Sequence, residues 1–212
     1  MEASAGLRER KKQRTRMTIS ERAIALFLER GFDQVSVVDV AAAAEVSKPT
    51  LFAYFPTKED LVVHRLADHL TESASVVAGC ASGAAAVDAL HRHFLAGLAA
   101  RDPITGLNDD QDVLAFHRLV HSTPGLVARL GAHLAQSEEA LAHSLADALG
   151  GAPRAVTAAL LAGQIVATQR VLATANWERL AAGRPAGEVH PEAVADADHA
   201  FALLRAGLPA AD

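Results

Sequence analysis

Two helix-start signals stand close together in this chain, at Ser36 and at Ser47, and they leave room between them for only a short helix and a tight turn. Ser36 and Asp39 hold the Ser-x-x-acid relation of a capped N-terminus. Val37, Val40, Ala41 and Ala44 then supply an apolar stripe that runs out near Glu45–Val46. Ser47 opens the next helix, with Pro49 in its first turn, where a missing N–H costs little. Leu51 and Phe55, four apart, share its inward face, and Pro56 ends it. Thr57 caps a further helix that carries Glu59 and Asp60 in its first turn, favourable to the helix dipole. Upstream, Ile19, Ala23, Leu26 and Phe27 give helical spacing over Thr15–Arg30, with Gly31 as the C′ residue and Phe32 folding back over the end.

The rest of the chain is also helical in pattern. Ala and Leu dominate, aromatic residues make up 4%, and no useful strand-like alternation or solenoid repeat is present. Helices are expected near 58–79, 84–101, 109–121, 125–149, 153–182 and 191–206. The breaks are Asp102-Pro103, Ser122-Thr123-Pro124, Gly150-Gly151-Ala152-Pro153 and Gly183-Arg184-Pro185. With 212 residues, a small and a medium domain fit. The expected fold is all-α: a basic flexible arm at 1–14, a three-helix helix-turn-helix domain at 15–57, and a larger helical domain at 58–212.

The net charge of −5 suits a nucleic-acid binder poorly, but its distribution matters more than its sum. Leu7–Arg16 carries Arg8, Arg10, Lys11, Lys12, Arg14 and Arg16 against Glu9 alone. Residues 61–212 hold ten Lys/Arg and sixteen Asp/Glu. Cys80 is the single cysteine, so no intrachain disulfide and no Cys-rich metal site can form. No signal peptide is apparent, and the weakly polar run Ala155–Thr168 is too short to span a bilayer, so a cytoplasmic location is expected and no membrane partner. The chain has no G-x-S-x-G, no phosphate-binding Gly-Lys-Ser/Thr loop and no H-E-x-x-H, which argues against an enzyme and gives no cofactor motif.

Two short helices joined by a tight turn form the core of a helix-turn-helix, whose second helix stands in the DNA major groove. Val46, Leu51 and Phe55 anchor that helix inward, and Lys48, Pro49, Thr50, Phe52 and Ala53 face out. Ser47 and Thr50 suit phosphate contact at the helix start. Lys48 can donate to guanine acceptors or to phosphate, and Phe52 can pack on a thymine methyl. The segments Ser36–Ala41, Ala44–Phe55 and Lys58–Leu61, with Leu26–Phe32 before them, strongly resemble the signature of the TetR family of transcriptional regulators. The resemblance covers about residues 15–62. It implies that Lys48, Pro49, Thr50 and Phe52 touch bases or adjacent backbone, and that Ser36, Tyr54 and Lys58 bind phosphates. Two residues depart from the family pattern: Glu45 replaces a turn glycine, and Phe52 replaces a frequent tyrosine.

The resemblance further implies a homodimer that represses from double-stranded operator DNA and is released by a small-molecule effector held in the larger domain. The helices near 153–182 and 191–206 resemble the family's dimer-forming pair, with Leu160, Leu161, Ile165, Val166, Phe201 and Leu204 as interface residues or as intrachain core. The helix at Lys58–Gly79 would carry the effector signal between domains. Phe94, Phe116, His117, Gln164, Gln169 and Trp177 are candidate effector contacts for a mostly apolar pocket with a few polar groups. The alternative is a metal-responsive or effector-independent regulator. His117 and His121, four apart, form a metal-type pair, with His64, His69, His91 and His93 at less suitable spacings, and no third ligand is evident, so no metal site is assigned.

Overall fold

The computed structural model describes residues 2–69, 71–149 and 155–207, with the backbone alone for 2–9, 67 and 68. Its helices are α1 (Glu2–Arg30), α2 (Val37–Ala43), α3 (Lys48–Tyr54), α4 (Asp60–Val63), α5 (Glu72–Val77), α6 (Gly83–Ala100), α7 (Gln111–Ser122), α8 (Pro124–Ala148), α9 (Ala155–Ala181) and α10 (Ala186–Ala206). Short 3-10 helices occupy His64–His69 and Pro103–Thr105. No strand occurs among the described residues, as the composition predicts.

The chain forms two compact units, Met1–Ala67 with Ala115–Gly131, and Asp68–Leu114 with Ala132–Asp212. The division expected after residue 57 therefore falls later in the chain, and a piece of the later sequence joins the first unit. The reason lies in burial. Leu61, Val62 and Val63 are fully enclosed with Ile19, Ala23, Phe27, Val40, Leu51 and Phe55, and Phe116, Val120 and Leu126 complete the same core. Polar contacts reinforce it. Buried Ser20 donates to the Leu61 carbonyl at 2.6 Å, and Arg129 reaches the enclosed Asp60 carboxylate at 2.6 Å. Burial pushes the Asp60 carboxyl upward, but hydrogen bonds from Thr57 and Arg129 outweigh it and hold the group below its ordinary range.

The second unit packs α10 against both α6 and α9. Val87, Leu90, Phe94 and Leu98 meet Leu161, Ile165, Val189, Ala193, Ala197 and Phe201, with alanines allowing close approach. The loop after α6 is pinned by long-range bonds. Asn176 donates to the Thr105 carbonyl at 2.9 Å, and Asp109 accepts the Ala186 N–H at 2.8 Å.

Several expectations are corrected. The basic arm is part of α1, which is helical from Glu2; the polar sequence has no apolar stripe, but helix needs none where it extends an anchored one. The single helix at 58–79 is broken into α4, a 3-10 helix and α5. The last helix begins at Ala186 and runs through Pro191, because Asp109, far away in sequence, caps its first N–H. Of the residues left open between interface and intrachain core, Leu161, Ile165, Phe201 and Leu204 lie in the core, while Leu160 is 63% exposed. The weakly polar run at 155–168 continues as helix to Ala181, so α9 is long and apolar enough to cross a membrane by length and composition. Its Ala158, Leu161, Ala162, Ile165 and Asn176 are nonetheless buried within the second unit. The break at Gly150–Pro153 lies outside the described residues.

Candidate nucleic-acid interface

Local chemistry shapes α2, the turn and α3. Ser36 accepts the Asp39 N–H at 3.2 Å, and Asp39 accepts the Ser36 N–H at 2.8 Å, a reciprocal cap. The same carboxylate accepts a hydrogen bond from the Ser36 hydroxyl at 2.6 Å. The Ser36 side-chain bond, then its backbone bond, hold the Asp39 carboxyl below the ordinary carboxylate range.

The helix closes through paired bonds, Val46 N–H to the Ala41 carbonyl at 2.9 Å and Glu45 N–H to the Ala42 carbonyl at 3.1 Å. This is a Schellman ending with Glu45 as its left-handed residue, at φ +54°. The turn keeps the shape a glycine would give it, and the glutamate bears the strain. Ser47 then caps α3. It accepts the Thr50 N–H at 3.2 Å, and the two hydroxyls bond at 2.7 Å. That N–H is consumed within the protein, so Ser47 and Thr50 first of all build the helix.

Leu51 and Phe55 are fully buried and fix α3 to the core. Lys48, Pro49, Thr50, Phe52 and Ala53 are exposed, with Phe52 at 40%. Lys48 Nζ lies 5.9 Å from the Phe52 ring centroid, so a cation and an aromatic share one outward face. The structure thus brings Ser47, Lys48, Pro49, Thr50 and Phe52 together on one short helix. Ser36 is exposed at the start of α2. Tyr54 is half-buried and packs against the core. Lys58 is engaged internally. Its ammonium donates to the Phe32 carbonyl and lies 4.3 Å from the Phe32 centroid and 5.4 Å from that of Phe27. The family-implied phosphate role of Lys58 does not match this placement; the lysine ties α4 to the end of α1.

The expected effector residues are divided between the two units. Phe116 and His117 belong to the first unit, whereas Phe94, Gln164, Gln169 and Trp177 belong to the second. Phe94 is core, 6.1 Å from the Phe201 ring. Gln164 is exposed, Gln169 bonds to Ser73 at 3.4 Å, and Trp177 is half-buried. A shallow surface depression of about 220 Å³ lies between α9 and α10, lined by Ala167, Thr168, Val171, Leu172 and Ala200, and by none of the six.

The histidines are also dispersed. His117 stacks on His121 with ring centroids 4.0 Å apart. His69 and His93 both meet Glu72, at 2.6 and 3.1 Å, and His91 meets Asp198 at 2.9 Å. Among the described residues, no group of three or more His, Cys, Asp or Glu is placed to hold a metal ion.

A feature that the sequence alone does not reveal lies beside the turn. A groove of about 670 Å³ is lined by Arg10, Lys11, Arg14, Thr15, Thr18 and Ile19 of α1, with Ala44 and Val46 opposite. The spacing of its cations is readable from the residues; the wall that faces them is not.

Residues 19–64 match the family model for bacterial regulatory proteins of the tetR family. The chain is 33% identical over 135 residues to the HTH-type transcriptional regulator TcmR of Streptomyces glaucescens, a match covering 63% of this chain and 58% of that protein. The chain thus spans less than two thirds of the length of the curated relatives it matches. In fold it is similar to GusR of Salmonella enterica, with TM-score 0.54 and 19% identity, covering 91% of this chain and 94% of that one. It is similar also to a TetR transcriptional regulator from Rhodococcus sp. RHA1, with TM-score 0.52 and 22% identity, covering 93% and 99%.

Proposed function

We propose, from the match of residues 19–64 to the tetR-family model, that the chain is a sequence-specific DNA-binding transcriptional regulator of that family, a cytoplasmic homodimeric repressor released by a small molecule. One observation carries this reading. The exposed face of α3 holds Lys48, Pro49, Thr50 and Phe52 on a helix whose two ends are both fixed, by the Ser47 cap and by buried Phe55. A rigid helix is what groove reading requires, since ordering a loose one would cost affinity.

Dimerisation multiplies specificity by placing two such helices on one operator. Support for an α9–α10 interface comes from exposed apolar side chains there. Val156, Leu160 and Val171 are 75%, 63% and 57% exposed, and Leu203 on α10 is also exposed. These replace the buried members of the interface expected from sequence. An effector held in the second unit would act through the segments that pass between the units, residues 60–77 with α7 and α8, shifting the dimer between two populated states.

The test is selection of binding sites from random duplexes, followed by binding titrations of wild type and Lys48→Ala. A single enriched sequence is expected. Lys48→Ala should weaken binding to it by ~10–100-fold, with a much smaller loss on random DNA. No enrichment would defeat the reading, and equal losses on both DNAs would make Lys48 a phosphate contact.

A further inference from the structure

The groove between the first half of α1 and the turn before α3 has no role in the reading above. Its cations are arranged, not scattered. Arg10 and Arg14 are one turn apart on α1, Lys11 flanks both, and all three are exposed. The remaining described cations of the segment point elsewhere. Arg16 lies 5.3 Å from the centroid of buried Phe55, and Lys12 does not line the groove.

Thr15 and Thr18 donate their hydroxyl protons to the Lys11 and Arg14 carbonyls, at 3.0 and 3.1 Å. The hydroxyls are therefore committed to their own helix, and among the described side chains the donors left to a ligand are guanidinium and ammonium groups. Ile19, Ala44 and Val46 form an uncharged wall. Glu45 stands between two lining residues, yet its left-handed backbone leaves it out of the lining.

The geometry points to this groove as a second DNA contact, one that grips backbone phosphates and reads no bases. The inference rests on the DNA-binding reading of α3 and extends it. Charge complementarity favours a polyanion over an uncharged ligand, because among the described side chains three cations and no carboxylate line the groove. Continuity selects duplex DNA as that polyanion: Val46, on the groove wall, directly precedes Ser47, the cap of α3. With one groove per protomer, a dimer would neutralise additional phosphates flanking each recognition helix.

The test uses the full chain and the selected operator. Binding is measured across a salt series for wild type, for the triple variant Arg10→Gln, Lys11→Gln, Arg14→Gln, and for Lys12→Gln. Circular dichroism confirms that each is folded, and glutamine keeps helix propensity. The slope of log affinity against log salt should fall in the triple variant by about 0.9 for each phosphate that is no longer neutralised. Preference for operator over random DNA should persist, and the phosphates at the flank should drop out of the ethylation-interference pattern. Lys12→Gln should change the slope much less. An unchanged slope and interference pattern in the triple variant, with wild type binding its operator, would overturn the groove assignment alone. If the triple variant loses the preference for operator instead, the groove contributes to base reading and the assignment also fails. If wild type binds no DNA, the α3 reading fails and takes the groove with it.

Discussion

Glu45 holds a left-handed backbone that costs a residue with a side chain roughly 1–2 kcal/mol. The paired Schellman bonds around it retain that shape nonetheless. The departure from glycine, visible in the sequence, thus changes the energy of the turn and not its form. Lys58 teaches the opposite lesson. Its position matched a phosphate contact, but the ammonium packs over Phe32 and bonds to a carbonyl. His117 makes a testable case of the same kind. Burial, and secondarily His121, push its imidazole from the ordinary 6.5 down to about 4. Above pH 6.5 the group is neutral in both folded and unfolded chains and contributes nothing to pH dependence. Between 6.5 and about 4 the unfolded chain takes up a proton that the folded one resists, so stability falls as pH falls. His117→Gln should shrink the difference between urea midpoints measured at pH 7 and pH 5. An undiminished difference would assign the loss to other groups.

Among the elements, the loop between α6 and α7 does more than its length suggests. Gly106 sits at φ +73°, and a Cβ there would lie 2.0 Å from the Ala173 carbonyl oxygen of α9. Gly183, at φ +89°, has nothing within 4 Å of the same position. Both incur backbone strain on substitution, but only Gly106 adds a collision with backbone that cannot move aside. Gly106→Ala should therefore cost more than about 2 kcal/mol, against about 1 kcal/mol for Gly183→Ala, in denaturant unfolding. Equal costs would mean that the loop shifts freely and does not brace α9. The start of α10 belongs to the same network, since Asp109 caps Ala186 from this loop. That is why the sequence pattern points to Pro191 as the start: the cap is not a neighbour.

For the molecule as a whole, each unit closes its own core, and α9 still leaves Val156, Leu160 and Val171 outside. An apolar stripe of this kind on a helix otherwise packed in the core fits a second copy of the chain. Leu160→Glu should convert a dimer to a monomer in sedimentation velocity and weaken operator binding by about tenfold or more, because one recognition helix must then act alone. The core of the second unit should survive, as Leu160 is not part of it. A variant that remains dimeric would place the interface on another surface.

The helical class, the caps at Ser36, Ser47 and Thr57, and the outward face of α3 are legible in the order of the residues. These depend on propensity, period and hydrogen bonds across three or four residues. Tertiary structure alone decided where Lys58 places its charge, which arginines of α1 line a groove, and that Phe116 and His117 join the first unit. It also separated the enclosed apolar residues of α9 from the exposed ones. The physical reason is range: each of those outcomes rests on contacts between residues far apart in sequence, and periodicity records which residues share a face, not what that face meets.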